Sequence, residues 1–202
     1  MATAKTFLPL LVVVFFVHGS ALVIMPVIPG IADHLQGGEA TGTVIGVIFM
    51  AIGVAAATSS ILMGLLAGRV GLRTVFILSA AAAAIFNVWP YFADTLVLFI
   101  ASVFIASLMG GGLAGLASGL IAIRAPRDQQ GAAFGASQAA ISLGIALGPL
   151  TGGAAAVAFG LRSVFLVNSV VFLALLVLAA LLLRPGKEPD EAPASRTPAK
   201  AA

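Results

Sequence analysis

Six long apolar runs follow one another along the chain, separated by short stretches that hold most of the charged residues. A hydrocarbon core about 30 Å thick is crossed by roughly 20 apolar residues in helical conformation. Every run reaches that length, so the pattern predicts an all-α integral membrane protein with six transmembrane helices. The predicted spans are about 7–31, 43–67, 74–93, 95–123, 131–158 and 164–183.

The chain therefore divides into a six-helix transmembrane domain, residues 1–184, and a polar end, residues 185–202. The polar end is rich in proline, alanine and charge and has too little apolar area to pack. We expect it to be a disordered cytoplasmic tail. Residues 1–21 also fit a cleavable signal peptide, but the apolar run continues past Ser20, which favours a spanning helix.

Lysine and arginine are unevenly distributed between the two sides that six spans define. Of the ten Lys and Arg residues, all except Arg162 fall on the side that also holds both chain ends. Cytoplasmic segments retain positive charge. The distribution predicts that both termini are cytoplasmic, in a plasma (bacterial inner) membrane.

The composition agrees with a membrane location and narrows the chemistry. Charged residues make up 8% of the chain and hydrophobic residues 61%, whereas soluble domains carry about 25% charged residues. Cysteine is absent, which removes disulfides and thiolate chemistry. The sequence has no phosphate-binding loop, no metal-ligand spacing and no basic stripe for nucleic acid. We expect no enzyme activity, cofactor, metal site or nucleic-acid partner; the expected partners are membrane lipid and a small-molecule substrate.

Two short segments of the sequence resemble each other. "GLRTVFILS" occupies 71–79 and "GLRSVFLVNS" occupies 160–169, an offset of 89 residues. The offset covers three spans, an odd number, so the second copy is expected to lie upside down in the membrane. Inverted three-helix repeats of this kind build secondary transporters. Chance similarity between two helix starts is the alternative.

Glycines recur at steps of four residues in the fourth and fifth spans, so each span has one face of small residues. These glycines are Gly111, Gly115 and Gly119 in the fourth span and Gly144, Gly148 and Gly152 in the fifth. Small residues allow helices to approach closely in lipid. Pro26, Pro29 and Pro149 favour kinks. Kinked helices with smooth faces suit a rocking transporter, and static tight packing is the alternative.

The spacing G-x8-G-x3-G-P-x2-G-G in the fifth span resembles the antiporter motif of drug-efflux members of the major facilitator superfamily. Its positions are Gly135, Gly144, Gly148, Pro149, Gly152 and Gly153. A second segment, "GLLAGRVGLR" at 64–73, resembles the cytoplasmic loop motif of the same superfamily. It matches at Gly64, Arg69, Gly71 and Arg73, and Gly68 stands where the family has Asp.

The resemblance implies a half-size member, because the superfamily has twelve spans in two six-helix halves. It implies that the first and fourth spans line the transport path and that the second and fifth face the opposite half. We accordingly expect a homodimer through the second and fifth helices, with the glycine face of the fifth span against the second copy. The alternatives are an accessory or regulatory half that assembles with a separate partner, and an inactive truncated transporter.

The resemblance further implies efflux of small amphipathic compounds or drugs by proton antiport, with the proton as coupling ion. The candidate residues of the substrate or proton path are His18, Met25, Asp33, Met109, Gln138 and Ser142. Histidine titrates near neutral pH, and the methionines offer adaptable apolar surface. Each has a plainer alternative: an interhelical hydrogen bond for His18, Gln138 and Ser142, an interfacial carboxylate for Asp33, and lipid-facing bulk for the methionines.

Overall fold

The computed structural model describes residues 2–38, 40–124 and 130–182, which form eight α-helices and two short 3-10 segments. The helices are α1 (Ala2–Val23), α2 (Ile28–Gln36), α3 (Gly42–Val70), α4 (Leu72–Phe86), α5 (Leu96–Gly110), α6 (Leu113–Arg124), α7 (Gln130–Phe159) and α8 (Ser163–Leu182). The 3-10 segments are Met25–Val27 and Trp89–Phe92.

These elements combine into six apolar spans that are long enough to cross a membrane. The spans are Leu8–Gln36, Gly42–Val70, Leu72–Phe92, Leu96–Ile123, Gln130–Phe159 and Ser163–Leu181. The described part of the chain contains no strand. The expected all-α fold with six transmembrane helices is therefore confirmed, and the expected tail at 185–202 lies outside the described residues.

The first span is interrupted at its two prolines. α1 ends at Val23, a 3-10 turn containing Pro26 follows, and Pro29 lies in the first turn of α2. Proline lacks an N–H, and its ring collides with the carbonyl four residues earlier. The span therefore breaks where the sequence predicts a kink.

The fourth span is interrupted by the two-residue turn Gly111–Gly112, which separates α5 from α6. The Gly112 N–H leaves the helical ladder and donates to Ser59 Oγ of α3, at 2.9 Å. A Cβ on Gly111 would lie 2.6 Å from the Cα of Ala56. Close contact with α3 thus requires glycine at this break.

The core lies between three packed helix pairs: α1 with α7, α3 with α5, and α4 with α8. Buried apolar side chains form two layers, one toward each end of the bundle. The largest members are Phe76, Leu113, Ile121 and Leu175 in one layer and Ile28, Ile48, Phe99 and Phe165 in the other. Because lipid is as apolar as these side chains, close packing rather than burial from water holds the pairs together.

Candidate functional site

The glycine face of α7 lies against the backbone of α1. Gly144, Gly148 and Gly152 are buried, and a Cβ on Gly148 would lie 2.5 Å from the carbonyl oxygen of Gly19. Cβ atoms on Gly144 and Gly152 would meet the carbonyl oxygens of Phe15 and Val23. The glycines therefore let two helices of the same bundle approach to backbone contact.

This placement corrects the expectation that the glycine face of the fifth span meets a second copy. That expectation was wrong for Gly144, Gly148 and Gly152, because α1 of the same bundle covers them. Helical spacing identifies a face that packs closely, but it does not identify the neighbour. Two other positions of the motif, Gly135 and Gly153, have nothing within 4 Å of a Cβ, and only they remain open to a neighbour outside the bundle.

Only two of the three regularly spaced glycines in the fourth span contact another helix. Gly111 contacts α3 and Gly119 approaches Leu72, whose Cδ1 would lie 3.3 Å from a Cβ, whereas Gly115 has nothing within 4 Å. The predicted continuous face is therefore limited to the helix break. Pro149 lies half-buried inside α7, which continues through it from Gln130 to Phe159.

His18 lies half-buried in α1, with Nδ1 2.9 Å from the carbonyl oxygen of Val14. A carbonyl only accepts, so Nδ1 is the donor in this contact. The partner is in the same helix, so the interhelical bond considered from sequence does not occupy Nδ1. Met25 lies two turns further along and is also half-buried.

Asp33 closes the loop between α2 and α3. The first span continues to Gln36 rather than ending at about 31, because Gly37, with a φ of 70°, terminates α2. Asp33 thus lies on a helix, and its Oδ1 accepts a hydrogen bond from the Ala40 N–H at 2.7 Å. This contact gives the carboxylate a structural task at one end of the bundle.

The other path candidates point in different directions. Gln138 and Ser142 are exposed on α7, away from the glycine face, whereas Met109 packs against the buried core. A partly open cavity of about 90 Å³ does exist in the bundle. None of the six sequence-predicted path residues lines it, so the described structure does not bring them together.

The lining of the cavity is mainly apolar, and its polar members are residues that sequence reasoning did not single out as a site. These are Ser20, Asn87, Ser107 and Asn168. The sequence does contain a signal for these residues, because polar side chains inside apolar spans are rare and often functional. Asn87 and Asn168 form a buried interhelical hydrogen bond of 3.0 Å.

The loop motif between α3 and α4 is exposed at Gly64, Gly68 and Arg69. A Cβ on Gly68 would meet nothing within 4 Å, so the space that an Asp would occupy is free. Gly71 has a φ of 86° and connects the two helices. Arg73 Nη2 donates to the carbonyl of Ala180 at 3.4 Å, which ties this loop to α8.

Comparison with known proteins assigns the family. The sequence model of the Major Facilitator Superfamily matches residues 10–202. The chain belongs to this superfamily. A multidrug resistance protein MdtG from Dickeya zeae is 31% identical over 87% of this chain and 43% of its own length. The MdtG of a Rahnella species is 34% identical over 78% of this chain and 39% of its own length.

The MdtG of Serratia proteamaculans is 31% identical over 84% of this chain and 42% of its own length. The chain thus spans less than half the length of these curated relatives. Membership of the Major Facilitator Superfamily and the six apolar spans make it a multi-pass membrane protein of a transporter family. It is not an enzyme.

Proposed function

We propose that this chain exports small amphipathic compounds by proton antiport, as a homodimer of six-helix subunits in a bacterial inner membrane with both termini cytoplasmic. The observation that carries the proposal is the match to the Major Facilitator Superfamily over residues 10–202, together with relatives named multidrug resistance protein. These relatives are more than twice as long as the matched region, and in this proposal a second copy takes the place of the other half.

The surface of α3 supports dimerisation. Only 17% of the α3 span is buried inside the bundle, against 44% of the first span. Gly46, Gly53 and Gly64 are exposed on one side of α3, with nothing within 4 Å of a Cβ. Exposed small residues on a helix allow close contact with a partner helix in lipid. α7 is the next least covered span, at 22% buried.

His18 is the candidate for proton coupling, because it is an imidazole inside the first span and its Nδ1 donates to the Val14 carbonyl of the same helix. An ionisable residue inside a span is a functional candidate by default. His18 lies beside Gly19, at the contact between α1 and α7.

The test is dye efflux from liposomes containing the purified protein, driven by a proton gradient, with the oligomeric state measured in the same preparation. Gly53→Trp on α3 should lower both the dimer fraction and efflux. Val170→Trp, on the 64% exposed Val170 of α8, places the same ring on the lipid-facing side and should leave both unchanged. Efflux by a preparation that is entirely monomeric would refute the dimer.

A second candidate is an accessory half that pairs with a separate six-helix protein. The match covers 43% of the length of one relative. A different six-helix chain can take the place of the remaining part as well as a second copy can. In that case the purified chain alone transports no dye at any concentration, and co-expression with the separate six-helix protein restores efflux.

A further inference from the structure

The partly open cavity is lined by a buried polar pair, Asn87 and Asn168, whose hydrogen bonds fix the direction of both side-chain amides. Asn87 Nδ2 donates to the Ala83 carbonyl at 2.8 Å. A carbonyl only accepts, so Asn87 must point its NH₂ group there and its Oδ1 toward α8. Asn168 Nδ2 then donates to Asn87 Oδ1, at 3.0 Å.

These hydrogen bonds do not involve the side-chain oxygen of Asn168, Oδ1. The atom is buried and has no donor among the described residues, and Asn168 as a whole is 3% exposed. A buried acceptor without a donor is costly, and native structures satisfy nearly all such groups with protein or water. Asn168 lines the cavity, which is where a donor can be held.

The N-terminus of α6 borders the same cavity, through Gly111 and Ala114. The first N–H groups of a helix have no acceptor within it. The Gly112 N–H donates to Ser59 Oγ. The cavity therefore holds the unpaired acceptor Asn168 Oδ1 beside the start of a helix.

We propose that this cavity binds a hydroxyl group or water whose O–H donates to Asn168 Oδ1, the buried acceptor that has no donor among the described residues. Water and the hydroxyl of a short alcohol share that chemistry. A volume of about 90 Å³ has room for several waters, since one water needs about 10–15 Å³ of such space, and it is small for a drug-sized compound. The site lies beside the break between α5 and α6.

The absence of cysteine from the chain allows a direct test of hydration. Ser20 lines the cavity, is 2% exposed and donates to the Val17 carbonyl at 2.9 Å. Ser102 is 7% exposed and donates to the Phe99 carbonyl at 2.8 Å, but it does not line the cavity. Ser20→Cys and Ser102→Cys therefore place matched thiols beside and away from the cavity.

The two variants are reacted in lipid nanodiscs with a small uncharged methanethiosulfonate. The cysteine thiolate attacks the sulfenyl sulfur of the reagent, forms a mixed disulfide and releases methanesulfinate. The thiolate forms readily only where water reaches the sulfur. We expect Ser20→Cys to react at least about tenfold faster than Ser102→Cys. Equal rates would overturn the proposal. Ser20→Cys and Ser102→Cys both retain the two asparagines. Their comparison is therefore valid even if an asparagine variant does not fold.

Adding Asn168→Leu to the Ser20→Cys protein removes the acceptor and should lower its labelling rate to that of Ser102→Cys. An unchanged rate would overturn the role of Asn168. Titration with 1-propanol distinguishes the two sources of the oxygen. Saturable slowing of the Ser20→Cys reaction identifies a hydroxyl ligand, and an unaltered rate identifies water, either of which supports the site. No readout depends on transport.

Discussion

Arg73 and Arg162 make the same contact at opposite ends of one helix pair. Arg73, at the start of α4, donates to the carbonyl of Ala180 near the end of α8, at 3.4 Å. Arg162, just before α8, donates to the carbonyl of Tyr91 at the end of the third span, at 3.3 Å. The two donors are 89 positions apart, and so are the two acceptors. Such reciprocity is the contact pattern of a two-fold axis, and it supports the inverted repeat that the matching segments predict.

The glycines that precede these arginines provide the first prediction. Gly71 has a φ of 86° and Gly160 a φ of 93°, positive values at which a residue with a Cβ is strained by about 1–3 kcal/mol. Gly71→Ala and Gly160→Ala should each lower the melting temperature in detergent, by similar amounts because the positions are equivalent. The control is Gly38→Ala, which has an ordinary φ and nothing within 4 Å of the Cβ. A loss at one repeat position alone would contradict the equivalence.

Hydropathy located the spans because lipid imposes length and apolarity on each helix separately. It set the end of the first span too early, at about 31, since Asp33, His34 and Gln36 are polar. In the structure these residues lie on α2, which ends at Gly37. Polar side chains are tolerated there, because Asp33 bonds to the loop and His34 and Gln36 are exposed.

The partners of particular side chains could not be read from the sequence. The spacing of Gly144, Gly148 and Gly152 correctly indicated a close contact, but α1 rather than a second copy fills it. Asn87 and Asn168 are 81 positions apart, and no periodic pattern connects residues at such a distance. Their pairing depends on how α4 and α8 pack, which is a property of the assembled bundle.

Gly148 gives a prediction that separates internal packing from an external interface. The Cβ of Gly148→Ala would lie 2.5 Å from the carbonyl oxygen of Gly19, and backbone cannot yield as a flexible side chain does. Overpacking of this kind costs about 1–3 kcal/mol, so the variant should melt at lower temperature as a monomer. Gly135→Ala, in the same motif but with nothing within 4 Å, should melt like the parent. Equal melting temperatures would show that α1 and α7 are not in backbone contact.

Asp33 can be tested for a structural role separate from its charge. Asp33→Asn keeps an acceptor for the Ala40 N–H, whereas Asp33→Ala removes it. A lost hydrogen bond of this kind costs about 1 kcal/mol. We expect Asp33→Ala to lower thermal stability and Asp33→Asn to retain both stability and efflux. Loss of efflux in a stable Asp33→Asn protein would instead place the carboxylate in the proton path.

His18 is the residue on which proton coupling depends in the proposed mechanism. His18→Gln retains an N–H group able to donate to the Val14 carbonyl but cannot titrate. Substrate movement in this variant should no longer respond to a proton gradient, while passive exchange of substrate across the liposome membrane continues. The chain has one other histidine, the exposed His34, and His34→Gln should leave gradient-driven efflux intact. Because His18→Gln preserves the helix contact, retained gradient dependence would exclude His18 as the coupling group rather than report a folding defect.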